Sequence, residues 1–309
     1  MKPRADLLLC VDFDETITVR DTTSLLLQLS SCSVQRQQQL VTQYVNAMEG
    51  FLDGYKAKWR LRTSPSRRCD KVGLHAFLKG YAAADLRSVA RVVTSRALQG
   101  IRHQDLVQAA SIVPVRPNCA DTLAAVDRWK VISANWSTRL VSSVLAQAGV
   151  SIGAIETMQI IGNEMLVDEE GVTTGAIDVK VQSPEDKARC VNEARLERAE
   201  MQPTVIYVGD SANDVLAMLE ADVGIWFVVD GTASSLLGQL VKAYSIDVRP
   251  LMTVCSIAEC AAIAACRPTV FTMTDWAQLQ AFLWQTTSLI LQCWRLSVME
   301  VCVLNSGRV

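Results

Sequence analysis

Leu7-Leu8-Leu9-Cys10-Val11-Asp12-Phe13-Asp14-Glu15-Thr16 is an apolar run that stops at two carboxylates spaced two residues apart, followed by a threonine. Five apolar residues are too few for a helix, and the absence of alternation means that both faces are buried. That is the pattern of a central strand in a parallel sheet, whose two sides are covered by helices. The carboxyl end of such a strand then presents Asp12 and Asp14, and open α/β sheets bind ligands at that edge. In a strand the two would share a face; if the chain curls, one can meet a metal while the other meets substrate. A solvated acidic turn after a strand would carry the same residues, so the remainder of the chain has to decide.

Composition narrows the classes. At 309 residues the chain is long enough for one large domain, or one with an insertion. Half the residues are hydrophobic and the mean hydropathy is +0.20, high for a soluble protein but not a membrane composition. The formal net charge of −2 gives no electrostatic footprint for nucleic acid or a membrane surface. No long apolar segment precedes the first strand, so a secretory leader is not expected. The ten cysteines form no CxxC pair and have no zinc-like spacing with His75 and His103. They read as small buried hydrophobes in a reducing, cytoplasmic setting.

After Thr18 nearly everything to about Leu106 reads as helix. The segments are Gln35 to Glu49, Leu74 to Tyr81 and Ala84 to Leu98, the last with Leu86, Val89, Ala90 and Val93 as its apolar stripe. A basic interruption, Arg60 to Lys71, contains Pro65 and reads as a loop. A helical subdomain is therefore inserted directly after the first strand. Strand and helix alternate again from Pro117: Lys130 to Ser133 is a short buried strand, and Thr138 to Ala148 a helix closed by Gly149. Ile155 to Ile161 and Val172 to Ile177 suggest a β-excursion with tight turns. Ser183-Pro184-Glu185-Asp186-Lys187 opens a charged helix, with a serine cap and proline at its first position. Val205 to Val208 is a second fully apolar strand and runs into Gly209-Asp210-Ser211-Ala212-Asn213-Asp214; another follows at Val223 to Val229. This alternation predicts a doubly wound parallel sheet.

Three strand ends thus carry chemistry, at Asp12 and Asp14, at Ser133, and at Asp210 and Asp214, with Lys187 at a helix start between the last two. The order and context resemble the haloacid dehalogenase-like phosphatases. Their DxDxT signature is matched by Asp12 to Thr16, their second-motif serine by Ser133, their third-motif lysine by Lys187, and their GDxxxD signature by Gly209 to Asp214. The resemblance spans about Leu7 to Leu251. It implies an α/β fold, a Rossmann-like doubly wound sheet with an α-helical cap. The expected division is a core of 1–18 and 115–275, a cap of 19–114 and a C-terminal helical tail, 276–309, of unclear role.

A carboxylate can open a phosphate ester by forming an aspartyl-phosphate, which splits one hard step into two. The resemblance assigns that attack to Asp12, and to Asp14 the proton transfers to the leaving oxygen and from the hydrolytic water. It places Mg2+ on Asp12, the Asp14 carbonyl and Asp210, steadied by Asp214 and Asn213. Ser133, Ala134 and Lys187 would hold the phosphoryl oxygens, and Thr16 would brace the Asp14 loop. Each has a plainer reading beside it: Lys187 as a solvated lysine, Ser133 as a helix cap, Asp214 as a first-turn acid.

The position of the insertion is similar to the phosphoserine-phosphatase type. Asp21-Thr22-Thr23, Ser133 to Ser137 and Gly231 to Leu236 resemble the phosphatase half of plant thiamin-salvage proteins. That implies a small phosphorylated metabolite, thiamin monophosphate, as substrate, with other phosphomonoesters such as phosphoserine or phosphocholine, or a non-catalytic ligand-binding role, as alternatives. Thr22 and Thr23 would either touch the leaving group or cap the first cap helix, and Trp136 would pack or stack on ligand. The uncharged stretch from Ala277 to Trp294 carries Gln278, Gln280, Gln285 and Gln292 and is not expected to cross a membrane. The Cys302 to Arg308 spacing is that of a cysteine phosphatase, but Val301 stands where that signature carries a histidine, so that class is not expected.

Overall fold

The computed structural model describes residues 7–60, 68–151, 160–197, 199–229 and 235–284. The chain begins with β1 (Leu7–Val11), followed by α1 (Thr23–Leu29), α2 (Val34–Arg60), α3 (Lys71–Thr94), β2 (Gln99–Arg102) and α4 (His103–Ala110). It continues through α5 (Cys119–Ala125), β3 (Trp129–Ile132), α6 (Thr138–Gln147), β4 (Ile160–Ile161), β5 (Glu164–Val167), β6 (Val172–Asp178) and α7 (Pro184–Leu196). The last part holds β7 (Thr204–Gly209), α8 (Val215–Glu220), β8 (Val223–Phe227), α9 (Leu236–Ala243), β9 (Asp247–Pro250), α10 (Ile257–Cys266) and β10 (Thr269–Met273).

Seven strands form one sheet in the order β4-β3-β1-β7-β8-β10-β9, and every pairing in it is parallel. β1 is the pivot. Its side chains alternate between the two sides of the sheet: Leu7, Leu9 and Val11 join one apolar cluster, Leu8 and Cys10 the other. That two-sided burial is what the unbroken apolar run encodes. Strand order runs outward from β1 in both directions, so β3 and β7 flank it, and the ends carrying Asp12, Ser133 and Asp210 lie side by side. The crevice at such a switch point is where doubly wound sheets take ligands.

The chain turns sharply after β1: Ile17 and Thr18 both donate their backbone N–H to the Phe13 carbonyl, and Glu15 sits in the left-handed region at φ 60°. It leaves for the helical insertion and returns beside itself, with Thr18 bridging Val115 in antiparallel fashion. Within the insertion α3 is a single helix from Lys71, where the sequence suggested two. Its buried residues Tyr81, Ala84, Ser88, Val89 and Val92 put the inward stripe out of phase with the expected one: Leu86 is exposed. Phe51, Tyr55, Trp59 and Phe77 form a ring cluster that meets Tyr244 of the core, so the insertion shares one apolar cluster with the sheet.

Two expectations shift in register. Ile160–Ile161 belongs to the main sheet, while residues 152–159 lie outside those described. The excursion is instead β5 and β6, antiparallel, with β2 from the far end of the insertion added to the same small sheet. Gly149, at φ 89°, closes α6 as its position implied. The residues from 276, set apart in sequence as a tail of unclear role, start as a helical segment to 284. Trp276, Leu279, Phe282 and Leu283 there are buried in the main cluster; residues 285–309 and the Gly231 to Ser234 part of the thiamin-type signature lie outside the described residues. No helix among the described residues is long and apolar enough to cross a membrane.

Candidate active site

Lys187 is the electrostatic centre. It stands in the first turn of α7, where Ser183 accepts from the Asp186 N–H and the Asp186 carboxylate returns the bond, a reciprocal cap that pins the helix start. The side chain is 2% exposed, so the reading of a solvated lysine fails. Its Nζ lies 2.8 Å from Asp12 Oδ1 and 2.7 Å from Asp214 Oδ1. Burial works against the ammonium charge, and Asp12 and Asp214 outweigh it, holding the group above the usual lysine range.

Asp214 is fully enclosed, and both of its oxygens are engaged: Oδ1 also accepts from Tyr207 at 2.7 Å, and Oδ2 from the Ser211 N–H and hydroxyl at 3.0 and 2.7 Å. Burial alone would raise this carboxyl, but Lys187 and these donors keep it below the ordinary range. Gly209 is required here, because a Cβ on it would lie 2.4 Å from Asp214 Cγ. Asp12, 5% exposed, is pushed up to about 7 by burial, with Asp214 adding and Lys187 opposing. Asp210 is likewise driven well above its ordinary value by burial, Asp214 and Asp12. Three carboxylates share one ammonium, which leaves the group short of positive charge.

Carboxylate oxygens of Asp12, Asp210 and Asp214 lie within 4.8 Å of one another. With Asp214 saturated by hydrogen bonds, Asp12 and Asp210 keep oxygens for a cation, and the buried Asn213 Oδ1 beside them has no partner. An all-oxygen donor set of this kind fits Mg2+. Thr16, expected to brace the Asp14 loop, instead donates to Asp210 Oδ1 at 3.0 Å. The turn after β1 directs its hydroxyl across to the end of β7, so it orients the Asp210 carboxylate.

Asp14 is held separately. Its Oδ1 accepts from the Thr22 N–H at 2.8 Å and hydroxyl at 2.7 Å, and its Oδ2 from Asn135 Nδ2 at 2.9 Å. Asn135 Nδ2 also reaches Thr22 Oγ1 at 2.8 Å. Burial, then Asp21, pushes Asp14 up to about 6 against these donors. With both oxygens taken, the Asp14 carboxylate is not a cation ligand; its carbonyl is the atom the resemblance implied. Thr22 does not cap α1, since it has no side-chain capping bond, and it spends its hydroxyl on Asp14. Asp21 accepts from the Thr23 N–H instead.

Ser133 Oγ accepts from the Asn135 N–H at 3.0 Å and lines the cavity with Ala134. The cap of α6 is Ser137, not Ser133. Trp136 lines the cavity and also packs on the main apolar cluster. The cavity encloses about 450 Å³ between the strand ends and the inner faces of α2 and α3. Sequence reading missed Asn135, two residues beyond the strand-end serine. It also missed Asn163, whose amide ties Ala134 to Val181 through bonds of 2.8 to 2.9 Å. Their signal was an asparagine two or three residues after an apolar strand, where a turn reading is equally natural.

The family model described as haloacid dehalogenase-like hydrolase matches residues 9–219. The bifunctional TH2 protein, mitochondrial, of Arabidopsis thaliana is 24% identical over 314 residues, covering 90% of this chain and 49% of that protein. The chain therefore spans about half the length of that relative. A substrate-bound phosphoserine phosphatase structure covers 72% of this chain and 87% of its own at 15% identity, with a TM-score of 0.47. A hydrolase of Salmonella enterica serovar Typhi, whose structure is described as of the same family, covers 73% of this chain and 63% of its own at 15% identity, with a TM-score of 0.46. The match extends from β1 through α8 and takes in each of the strand-end carboxylates, Ser133 and Lys187: the chain belongs to the haloacid dehalogenase-like hydrolases.

Proposed function

We propose that this phosphatase hydrolyses a small phosphomonoester through an aspartyl-phosphate on Asp12, in an Mg2+-dependent reaction, with thiamin monophosphate as the substrate that the sequence resemblance favours. The observation that carries this reading is the division of labour between two carboxylates only two residues apart. Asp12 keeps one oxygen on Lys187 and has the other unengaged at the cavity. Asp14 is fixed by Thr22 and Asn135 with a raised proton affinity, as a group that must give up and then take a proton requires.

Asp12 attacks phosphorus, and the bond to the leaving oxygen breaks while Asp14 supplies its proton. Asp14, now a carboxylate, takes a proton from water as that water attacks the phosphoryl group; the bond to Asp12 breaks and inorganic phosphate leaves. Lys187 and the Ser133 hydroxyl draw charge from the phosphoryl oxygens, and Ala134 shapes the wall beside them. Asp12 and Asp210 would hold Mg2+, with Thr16, Asp214 and Asn213 in support; the ion when bound offsets the negative charge of the ester against Asp12. A non-catalytic ligand-binding role is disfavoured, because such a protein has no use for a complete set of Asp12, Asp14, Asp210 and Lys187.

The test is phosphate release from thiamin monophosphate and p-nitrophenyl phosphate by native protein and Asp12→Asn. The variant should lose at least about a thousandfold in kcat with an unchanged circular dichroism spectrum, and the native enzyme should stop under chelation and recover with magnesium. Turnover by folded Asp12→Asn within tenfold of native would refute the nucleophile. Full activity after exhaustive chelation would refute the metal.

A further inference from the structure

The cavity is asymmetric in charge beyond what phosphate chemistry needs. Among the described residues six carboxylates line it, those of Asp12, Asp14, Glu15, Asp21, Asp85 and Asp210, against one cationic side chain, Lys187. That ammonium is already engaged by Asp12 and Asp214. Asp85 takes no part in the phosphoryl site. It projects from α3 on the stripe Tyr81, Asp85, Ser88, Val89, Val92, one helical face that lines the cavity throughout. Its Oδ2 accepts a 2.5 Å bond from Gln182 Nε2, the one partner it has among the described residues. Gln182 is 4% exposed and also lines the cavity, yet its Oε1 has no hydrogen-bond partner. An enclosed carbonyl oxygen without a donor is costly unless a ligand brings one. From α2 come Tyr44, hydrogen-bonded to Tyr81, and the aliphatic side chains of Leu40 and Val41, which line the same cavity.

We propose that the leaving-group half of the cavity selects an organic cation that carries an N–H donor, its charge set against Asp85 and the tyrosine rings and its N–H on Gln182 Oε1. This rests on the phosphatase reading and names the residues that would recognise the leaving group. A half-buried carboxylate beside aromatic faces binds a cation by charge and by ring quadrupole together. A leaving group that carries its own carboxylate, as a phospho-amino acid does, would instead face Asp85 and Asp21, and among the described residues no free guanidinium or ammonium lines the cavity to receive it. The volume of about 450 Å³ leaves room for a ring.

Two isosteric esters separate charge from shape: 4-(aminomethyl)benzyl phosphate and 4-ethylbenzyl phosphate. The native enzyme should favour the cationic ester by at least tenfold in kcat/KM. Asp85→Asn should lower that ratio at least fivefold, and Asp85→Glu should retain most of it. Calorimetric binding of 4-(aminomethyl)benzyl alcohol, which needs no turnover, should weaken at least fivefold in Asp85→Asn. A native ratio of one or below overturns the proposal whatever the variants do, and so does a parallel fall of both esters in Asp85→Asn, which marks a structural role. If neither ester turns over while the alcohol binds in an Asp85-dependent way, the phosphatase reading fails and the cation site stands. If both esters are hydrolysed at a ratio that Asp85→Asn leaves unchanged, the cation site fails and the phosphatase reading stands.

Discussion

Thr22→Val removes one hydroxyl and almost no volume, which isolates the hold on Asp14. The hydroxyl gives Asp14 Oδ1 a 2.7 Å bond and accepts 2.8 Å from Asn135 Nδ2, while the backbone N–H bond of 2.8 Å survives the substitution. A hydrogen bond to a charged acceptor contributes about 1.5–3 kcal/mol, and each ~1.4 kcal/mol in the barrier is tenfold in rate. With the N–H retained, kcat for an alkyl phosphate should fall by about 10- to 100-fold, with KM moving little. The fall should be smaller for p-nitrophenyl phosphate, whose nitrophenolate leaves without needing a proton from Asp14. The pH profile adds a sign. Burial raises Asp14 to about 6 and the Thr22 bonds pull it down, so losing one lets it rise further. The acid limb of the hydrolytic step, which needs Asp14 as a carboxylate, then moves to higher pH. Steady-state kinetics on the two esters across pH is the assay. Equal losses on both esters, or a change confined to KM, would refute the positioning role and return Thr22 to substrate contact.

Two further outcomes follow from the same geometry. Gly224→Ala in β8 would place a Cβ 2.2 Å from the Met218 carbonyl oxygen; with backbone on both sides neither can rotate away, so stability should fall by about 2–3 kcal/mol, read as a lower urea midpoint at unchanged slope. An unchanged midpoint would show that α8 can move off the sheet. In chelated protein, Asp12 and Asp210 both carry raised values, so the folded state binds more protons than the unfolded one from about 3.8 up to about 7. Stability should therefore decline as pH rises through that window, and magnesium should flatten the slope; a melting temperature that rises across it without metal would contradict the assignment.

What the sequence makes legible is whatever depends on full burial or on local capping. β1 and β7 announce themselves as unbroken apolar runs because both of their faces are covered, and Asp12 and Asp210 stand out as the charges that end them. Lys187 is legible for a different reason: Ser183 and Pro184 fix where its helix begins, hence which residue falls in the first turn. The cavity wall is not legible in this way. Asp85 and Ser88 interrupt the apolar pattern on the inner face of α3, so hydropathy placed the stripe one step off, on Leu86 and Ala90. A residue that faces a ligand is neither core nor surface, and periodicity has no third category for it. β2 was lost for a related reason. Gln99-Gly100-Ile101-Arg102 has little strand character, and it pairs because Thr173 accepts from the Ile101 N–H and donates to the Leu98 carbonyl. No local signal carries a partner 72 residues away.

The same distinction explains how Asp12 and Asp14 come to differ. Both follow one strand and begin with nearly the same intrinsic acidity. Asp12 prolongs β1, its N–H still bonded to the Val208 carbonyl at 2.9 Å, so its side chain meets what the neighbouring strand ends and α7 provide, an ammonium and two carboxylates. Asp14 lies in the turn, where the chain doubles back through Thr18 and brings Thr22 against it. The turn is itself fastened from the opposite end of the sequence: Trp276 Nε1 donates to the Thr16 carbonyl at 3.1 Å, while the Thr16 hydroxyl reaches Asp210. Long-range donors thus hold the DxDxT turn at Thr16 and at Asp14, and the path from Trp276 through Thr16 to Asp210 makes the helical segment from Trp276 part of what orients the Asp210 carboxylate. The local sequence specifies the strand and its two acids; their separate chemistries are assigned by Lys187, Asn135, Thr22 and Trp276.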